Sequence, residues 1–253
     1  VGTLYLIRHG QASYGEADYD RLSARGAEQA RAVGAWLAKV KIDALYSGPL
    51  KRQVQTAEHA IDAARALGVT LPVRAQLDEL AEYPAFEMLR HMLPRLTAED
   101  PRFAALESPG RAGTRSAAEG RRGESIETSP TPKLLDKAFH AILTKWASNE
   151  WVTDEVENVS AFVARVRTGV VSVLASAPAG ARIACVTSAG PIAVAVGLTF
   201  GIPEARMVRQ SIVIRNASVT ELKFRSQSFS LDETSLVTFN NTGHLPDDLH
   251  TER

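Results

Sequence analysis

Several things are scarce in this chain, and each scarcity narrows the reading. One cysteine, Cys185, stands in 253 residues, so no intrachain disulfide staples the fold. Set among apolar neighbours, that thiol is expected to be buried and unreactive. Neither sign of charge is in excess: 29 Lys and Arg balance 29 Asp and Glu. No global field therefore draws nucleic acid or an anionic membrane, and neither is expected as a partner. No run approaches the roughly 20 apolar residues of a membrane span. The start shows neither the basic region nor the cleavage site of a signal peptide, so a cytoplasmic protein is expected. The three Asn-x-Ser/Thr triplets at Asn158, Asn216 and Asn240 then read as chance. There is no Gly-x-Gly-x-x-Gly after the first apolar segment, which argues against a Rossmann-type nucleotide binder. Neither His-Glu-x-x-His nor an Asp-rich loop occurs, so no metal and no other cofactor is expected.

What is present is ordinary in amount and particular in order. Hydrophobic residues make up 45% and charged residues 23%, as in a globular protein with a sizeable core. The run from Thr3, apolar up to Arg8 and His9, reads as a buried strand. Ser23 is a plausible N-cap for a helix to Lys39, with Ala27, Ala30, Gly34 and Leu37 on one stripe. Ile42 to Tyr46 is a second short strand, Pro49 opens a helix toward Leu67, and Val69 to Val73 is a third extended piece. That alternation predicts parallel strands joined by right-handed crossovers. The pattern loosens over 86–151, where helices are expected at Met88–Leu96 and Leu134–Trp146 and a mobile loop over 108–132. It resumes with a helix capped by Ser160, a buried strand over Ala181–Thr187, a helix from Pro191 toward Phe200, and short β-rich runs from Ser211 to Phe239.

Two stretches carry chemistry. Leu4 to Gly10 delivers Arg8 and His9 together at the carboxyl end of a strand, where open α/β sheets hold ligands. The guanidinium fork suits a phosphate, and the imidazole is a nucleophile near neutral pH. Ser47-Gly48-Pro49-Leu50-Lys51-Arg52-Gln53-Val54-Gln55-Thr56-Ala57 places a second strand end beside a helix start. Arg52 lies there in the first turn, where backbone amides and the helix dipole favour an anion.

In order, these stretches resemble the histidine phosphatase superfamily, the phosphoglycerate mutase-like proteins. The resemblance rests on Arg8-His9-Gly10, then Leu22, Ser23, Gly26, Gln29 and Ala30, then Ser47, Pro49, Leu50, Arg52, Gln55, Thr56 and Ala57, with Gly48 altering the spacing. Leu77-x-Glu79 is similar to the segment bearing the family's acid, and Ser160 to Val166 to the helix before its late strand.

The resemblance implies a single domain over 1–253. Its fold would be a three-layer α/β/α sandwich with a mostly parallel central sheet, and the 86–151 insertion would lie over the site. It implies phosphomonoester hydrolysis of a small phosphorylated substrate, without metal. His9 would be the phosphorylated nucleophile, Arg8 and Arg52 the phosphate ligands, and Glu79 the proton donor, with Glu82 the runner-up. Gln11, Ser13 and Tyr14 follow the nucleophile and are candidate substrate contacts. The chain departs from the family in the late strand: Cys185-Val186-Thr187-Ser188-Ala189-Gly190 has Ser188 where a second histidine is normal. A hydroxyl donates to phosphate but carries no charge, so a protein of this fold that binds phosphate with impaired catalysis is the competing expectation. A phosphoglycerate-type mutase stands behind both. His244, in a polar loop near the end, is expected to be structural or at the site's edge. Nothing in the sequence sets the oligomeric state.

Overall fold

The computed structural model describes residues 1–13, 18–106, 132–225 and 230–251. The chain divides into one unit of Val1–Tyr83 with Val159–Arg253 and a second of Pro84–Asn158.

A six-stranded sheet organises the first unit. Its strands are β1 (Gly2–Arg8), β2 (Ala44–Ser47), β3 (Arg74–Gln76), β4 (Arg182–Thr187), β5 (Val219–Phe224) and β6 (Ser235–Asn241), in the order β3-β2-β4-β1-β5-β6. Pairings from β3 to β1 are parallel and those of β5 and β6 antiparallel, so the sheet is mixed and mostly parallel, with helices on its faces. β1 is buried along nearly its whole length, as expected of a strand covered on both sides. Its side chains alternate: Tyr5 and Ile7 join Val33, Leu37, Ala57, Ala60, Val186 and Val219 in one cluster, while Leu4 and Leu6 face the other way. Helices α1 (Ala24–Val40) and α2 (Lys51–Ala66) supply the first cluster. The sequence between β2 and β5 also forms α5 (Val159–Ser176), α6 (Ala189–Thr199) and α7 (Glu204–Gln210). Burying each large aliphatic side chain in these layers contributes about 1.5–3 kcal/mol. α5 has the length and apolarity of a membrane span, but Val159, Phe162, Val163, Val166, Val170, Val173 and Leu174 bury one of its faces within this unit.

Several boundaries differ from the sequence reading, each for a local reason. Ser23 does cap α1, accepting a hydrogen bond from the Gly26 amide. Ser160 does not cap α5. It lies inside the helix, and its hydroxyl donates to the Glu204 carboxylate at 2.7 Å. The third extended piece is β3 at Arg74–Gln76 rather than Val69–Val73, because its register is set by pairing with Leu45–Ser47. Part of the expected β-rich tail, Ser211–Val213, is a short 3-10 turn after the unanticipated α7.

The second unit holds α3 (Ala85–Glu99) and α4 (Pro132–Ala147). Met88, Met92, Leu96, Phe103, Ile142, Leu143, Trp146 and Trp151 form its buried residues with smaller neighbours. The Trp146 indole donates to the Glu157 carbonyl at 2.8 Å, and the Arg95 guanidinium lies 4.8 Å over the Trp151 ring. The loop expected over 108–132 falls, but for its last residue, outside the described residues.

Candidate active site

Arg8 ends β1 and His9 follows it, locked by its backbone: the His9 amide donates to the Thr187 carbonyl at 2.8 Å, and its carbonyl accepts from the Ala217 amide at 3.1 Å. β1 is thereby clamped between β4 and the segment entering β5. The adjoining Gly10 is required by the fold. A methyl there would lie 2.4 Å from the Gly26 carbonyl of α1, so the position makes room for the helix.

The His9 ring has a defined tautomer. Nδ1 is 2.7 Å from the Gly10 carbonyl, which can only accept, so Nδ1 bears the proton. Nε2 then presents a lone pair, and the Arg52 Nε–H donates to it at 3.1 Å. Burial, with the Arg52 and Arg8 guanidiniums adding repulsion, holds the imidazole well below its ordinary pKa. The lowered pKa keeps the His9 ring neutral at neutral pH. Arg8 Nη1 donates to the Ile214 carbonyl.

α2 carries Arg52 in its first turn, as its sequence predicts. The Asp20 carboxylate pairs with Arg52 Nη1 at 2.5 Å and also accepts from the Lys51 amide at 2.8 Å. The Arg52 carbon lies 5.9 Å over the Tyr19 ring, and Asp18 holds the Lys51 ammonium. One guanidinium is thus shared between the His9 ring and an acid. Other motif residues brace this corner. Thr56 Oγ1 accepts from the Gly10 amide and donates to the Arg52 carbonyl, Gln55 accepts from the Leu22 amide, and Gln29 accepts from the Gln11 amide.

The two acids part company. Glu79 sits in the 3-10 turn Asp78–Leu80 with its side chain against α5, where a methyl on Gly169 would lie 2.5 Å from its Cβ. Its carbonyl accepts from Arg165. The structure therefore does not bring Glu79 to the arginines. It brings Glu82. The Glu82 carboxylate accepts from the Gly190 amide at the start of α6, at 3.1 and 3.2 Å, and from the Tyr83 amide at 3.1 Å. Burial raises its pKa above the ordinary carboxyl value, against the opposing pull of Arg52, those amides and Arg8. The sequence signal for it was Leu80-x-Glu82, which repeats the Leu-x-Glu spacing three residues after Leu77-x-Glu79. Leu80 is fully buried and Leu77 is not, so only the second copy anchors its glutamate to the core.

At the end of β4, Thr187 donates its hydroxyl to the Leu80 carbonyl at 2.7 Å. Ser188, fully buried at the N-terminus of α6, accepts from Gln53 Nε2 at 2.8 Å. The remaining candidates lie apart from this chemistry. The Gln11 side chain accepts from Ser23, Ser13 is buried with its amide bonded to the Arg21 carbonyl, and Tyr14 lies outside the described residues. His244 is structural: it packs on Trp36 at 5.8 Å, and burial lowers its pKa to about 4. Cys185 is buried in β4 and its thiol is pushed up to about 12 by burial, far from a reactive thiolate. Asp20 and Gln53 are the functional residues the sequence reading missed. Neither stands in a periodic pattern; both are recognised only by their partners.

Known proteins share this fold. Solved structures with this fold include the mycobacterial glucosyl-3-phosphoglycerate phosphatase in complex with inorganic phosphate, at TM-score 0.63 and 20% identity, with 97% of this chain and 100% of that one covered. A phosphoserine phosphatase mutant from Entamoeba histolytica in complex with phosphoserine gives TM-score 0.59 at 18% identity, covering 97% and 100%. A phosphoglycerate mutase from Candida albicans is 36% identical over 84 residues, which is 30% of this chain and 34% of that protein. The match thus spans about a third of that curated relative. Residues 4–127 and 122–236 match the family described as histidine phosphatase superfamily, branch 1, and with that coverage the chain belongs to the histidine phosphatase superfamily.

Proposed function

We propose that the protein is a phosphomonoester hydrolase that works through a phosphohistidine on His9. The observation that carries the reading is the His9 ring itself: a buried neutral imidazole, its proton fixed on Nδ1, its Nε2 lone pair facing the Arg52 guanidinium. A phosphate on Arg8 and Arg52 takes over the Arg52 hydrogen bond and puts phosphorus in front of Nε2. Nε2 then forms the N–P bond as the ester P–O bond breaks, and the two guanidiniums stabilise charge on the equatorial oxygens. Glu82, whose carboxyl is held above the ordinary carboxylate range by desolvation, gives its proton to the leaving alkoxide. In the second half, Glu82 takes a proton from water as the water oxygen attacks phosphorus and the N–P bond breaks, returning neutral His9 and inorganic phosphate. Two fixed cations provide the charge stabilisation, so the cycle is proposed to need no metal.

Hydrolysis is preferred to a mutase reaction because Asp20 already engages Arg52 and Ser188 is neutral, leaving little spare positive charge to retain a bisphosphate. The reading of a binding protein without turnover rests on the same Ser188. Incubating the protein with a radiolabelled phosphomonoester and quenching in alkali separates them. A label that survives base, is lost in acid and is absent from a His9→Ala control is the expected result. Phosphate binding with neither label nor release would establish the binding protein instead.

A further inference from the structure

Arg52 is held by a segment that is distant in sequence. Three consecutive residues each meet the first turn of α2. Asp18 holds the Lys51 ammonium at 2.8 Å, the Tyr19 ring lies 5.9 Å from the Arg52 carbon, and Asp20 pairs with Arg52 Nη1. The two ion pairs differ in setting. The Lys51 and Asp18 side chains are 61% and 48% exposed, a pair that water screens. Those of Arg52 and Asp20 are only 12% and 29% exposed, so their contact is stronger and better fixed.

Both Asp20 oxygens are occupied. Oδ1 accepts from Arg52 Nη1, and Oδ2 accepts from the Lys51 amide at 2.8 Å. That amide opens α2, where Leu50 supplies no capping side chain. The carboxylate therefore caps the helix from outside and is anchored there, one residue from the guanidinium it holds. The choice of nitrogen matters. In a planar guanidinium Nη1 lies on the Cδ side and Nη2 on the side of the Nε–H bond, so Nε and Nη2 share one edge and offer two parallel donors. Asp20 takes Nη1, the nitrogen off that edge. Nε is the one that reaches the His9 ring, donating to Nε2 at 3.1 Å.

Resting on the function proposed above, we infer that Asp20 is a positioning residue: by holding Nη1 it keeps the Nε–Nη2 edge of Arg52 turned to His9, where that edge grips two oxygens of the transferring phosphoryl group. Asp20 itself touches no reacting atom and moves no proton. Its charge also opposes binding, because a carboxylate beside the guanidinium repels an incoming phosphate. The acid thus weakens phosphate binding while improving alignment, a combination that suits an enzyme releasing inorganic phosphate.

Asp20→Ala, alone and in an Arg52→Ala background, tests this. The readouts are kcat and KM for one phosphomonoester and the inhibition constant of inorganic phosphate, with melting temperatures to show that each variant is folded. Alone, the substitution is expected to lower kcat roughly tenfold, the scale of a misaligned contact to the reacting group. Phosphate is expected to bind as tightly as to wild type or more tightly, because the repelling charge is gone. In the Arg52→Ala background Asp20→Ala is expected to change kcat less than about twofold, since no guanidinium is left to orient. A general loosening of the helix start gives a different pattern, weaker phosphate binding and lower kcat together in both backgrounds. That pattern, or a folded Asp20→Ala with kcat within about twofold of wild type, would overturn the proposal. If Asp20→Ala does not fold, Asp20→Asn, whose single acceptor oxygen must serve two donors, decides by the same cycle. A wild type that turns over no ester would sink the hydrolase reading, whereas an active wild type whose kcat ignores Asp20 overturns this inference alone.

Discussion

His9→Ala is expected to lower kcat/KM for phosphomonoesters on the order of 10^5-fold, the scale at which a covalent nucleophile is lost, while leaving the fold and phosphate binding largely intact. The split follows from what the side chain does. Its backbone bonds to Thr187 and Ala217 survive truncation, and among the described residues its ring makes two hydrogen bonds, to the Gly10 carbonyl and from Arg52. Removing the ring frees the Arg52 guanidinium without disturbing its ion pair with Asp20. Inorganic phosphate should therefore still inhibit or bind, within about tenfold of wild type, since the charge-assisted contacts of both arginines remain. Steady-state kinetics beside calorimetric titration with phosphate checks both halves. Turnover within tenfold of wild type would require another nucleophile and remove His9 from the mechanism.

Where sequence and structure agree, and where they part, has a physical pattern. Elements that state their own boundaries were readable: β1 because both of its faces are apolar, α1 because Ser23 supplies a local cap, and α2 because Pro49 leads into a run with motif spacing. Arg8, His9 and Arg52 were readable because strand ends and helix starts are local features, and the sheet register then brings them together. What depended on tertiary partners was not. α7 is a seven-residue helix, too short for a periodic signal. β3 is defined only by pairing with β2. Ser188 shows the limit best. The resemblance marks it as a lost histidine, yet Gln53 fills the adjoining space with its amide 2.8 Å from the hydroxyl, and a glycine, Gly48, makes room for that amide. Gly48 and Gln53 are near each other in the sequence but Ser188 is far from both, and only the fold shows that the three pack together. Gly48, which reads as a disturbance in the motif, is part of the same arrangement.

The second large effect separates the two glutamates. Glu82→Gln is expected to cost 10^2- to 10^4-fold in kcat for alkyl phosphates, the usual worth of a positioned general acid, and Glu79→Gln less than about twofold. The amide is isosteric and its oxygen can still accept from the Gly190 and Tyr83 amides, so lost activity would report the missing proton and not a lost contact. Leaving groups grade the effect. An aryl phosphate departs without needing a proton, so the Glu82→Gln deficit should shrink by at least tenfold on that substrate, whereas a purely structural defect would depress both esters equally. The pH profile supplies the sign. Burial raises the Glu82 carboxyl, so it stays protonated above the ordinary carboxyl range and is lost as an acid only when pH rises through that raised value. His9 must be neutral, and its lowered pKa keeps it so until pH falls well below 6.5. The logarithm of kcat/KM in wild type should rise from the acid side along the His9 limb and fall along the Glu82 limb. Glu82→Gln should abolish the falling limb and leave the rising one in place. If Glu79→Gln were instead the variant that lost both alkyl-phosphate turnover and the alkaline limb, the acid would have to reach the phosphate by leaving its packing against Gly169, and the assignment of Glu82 would fall.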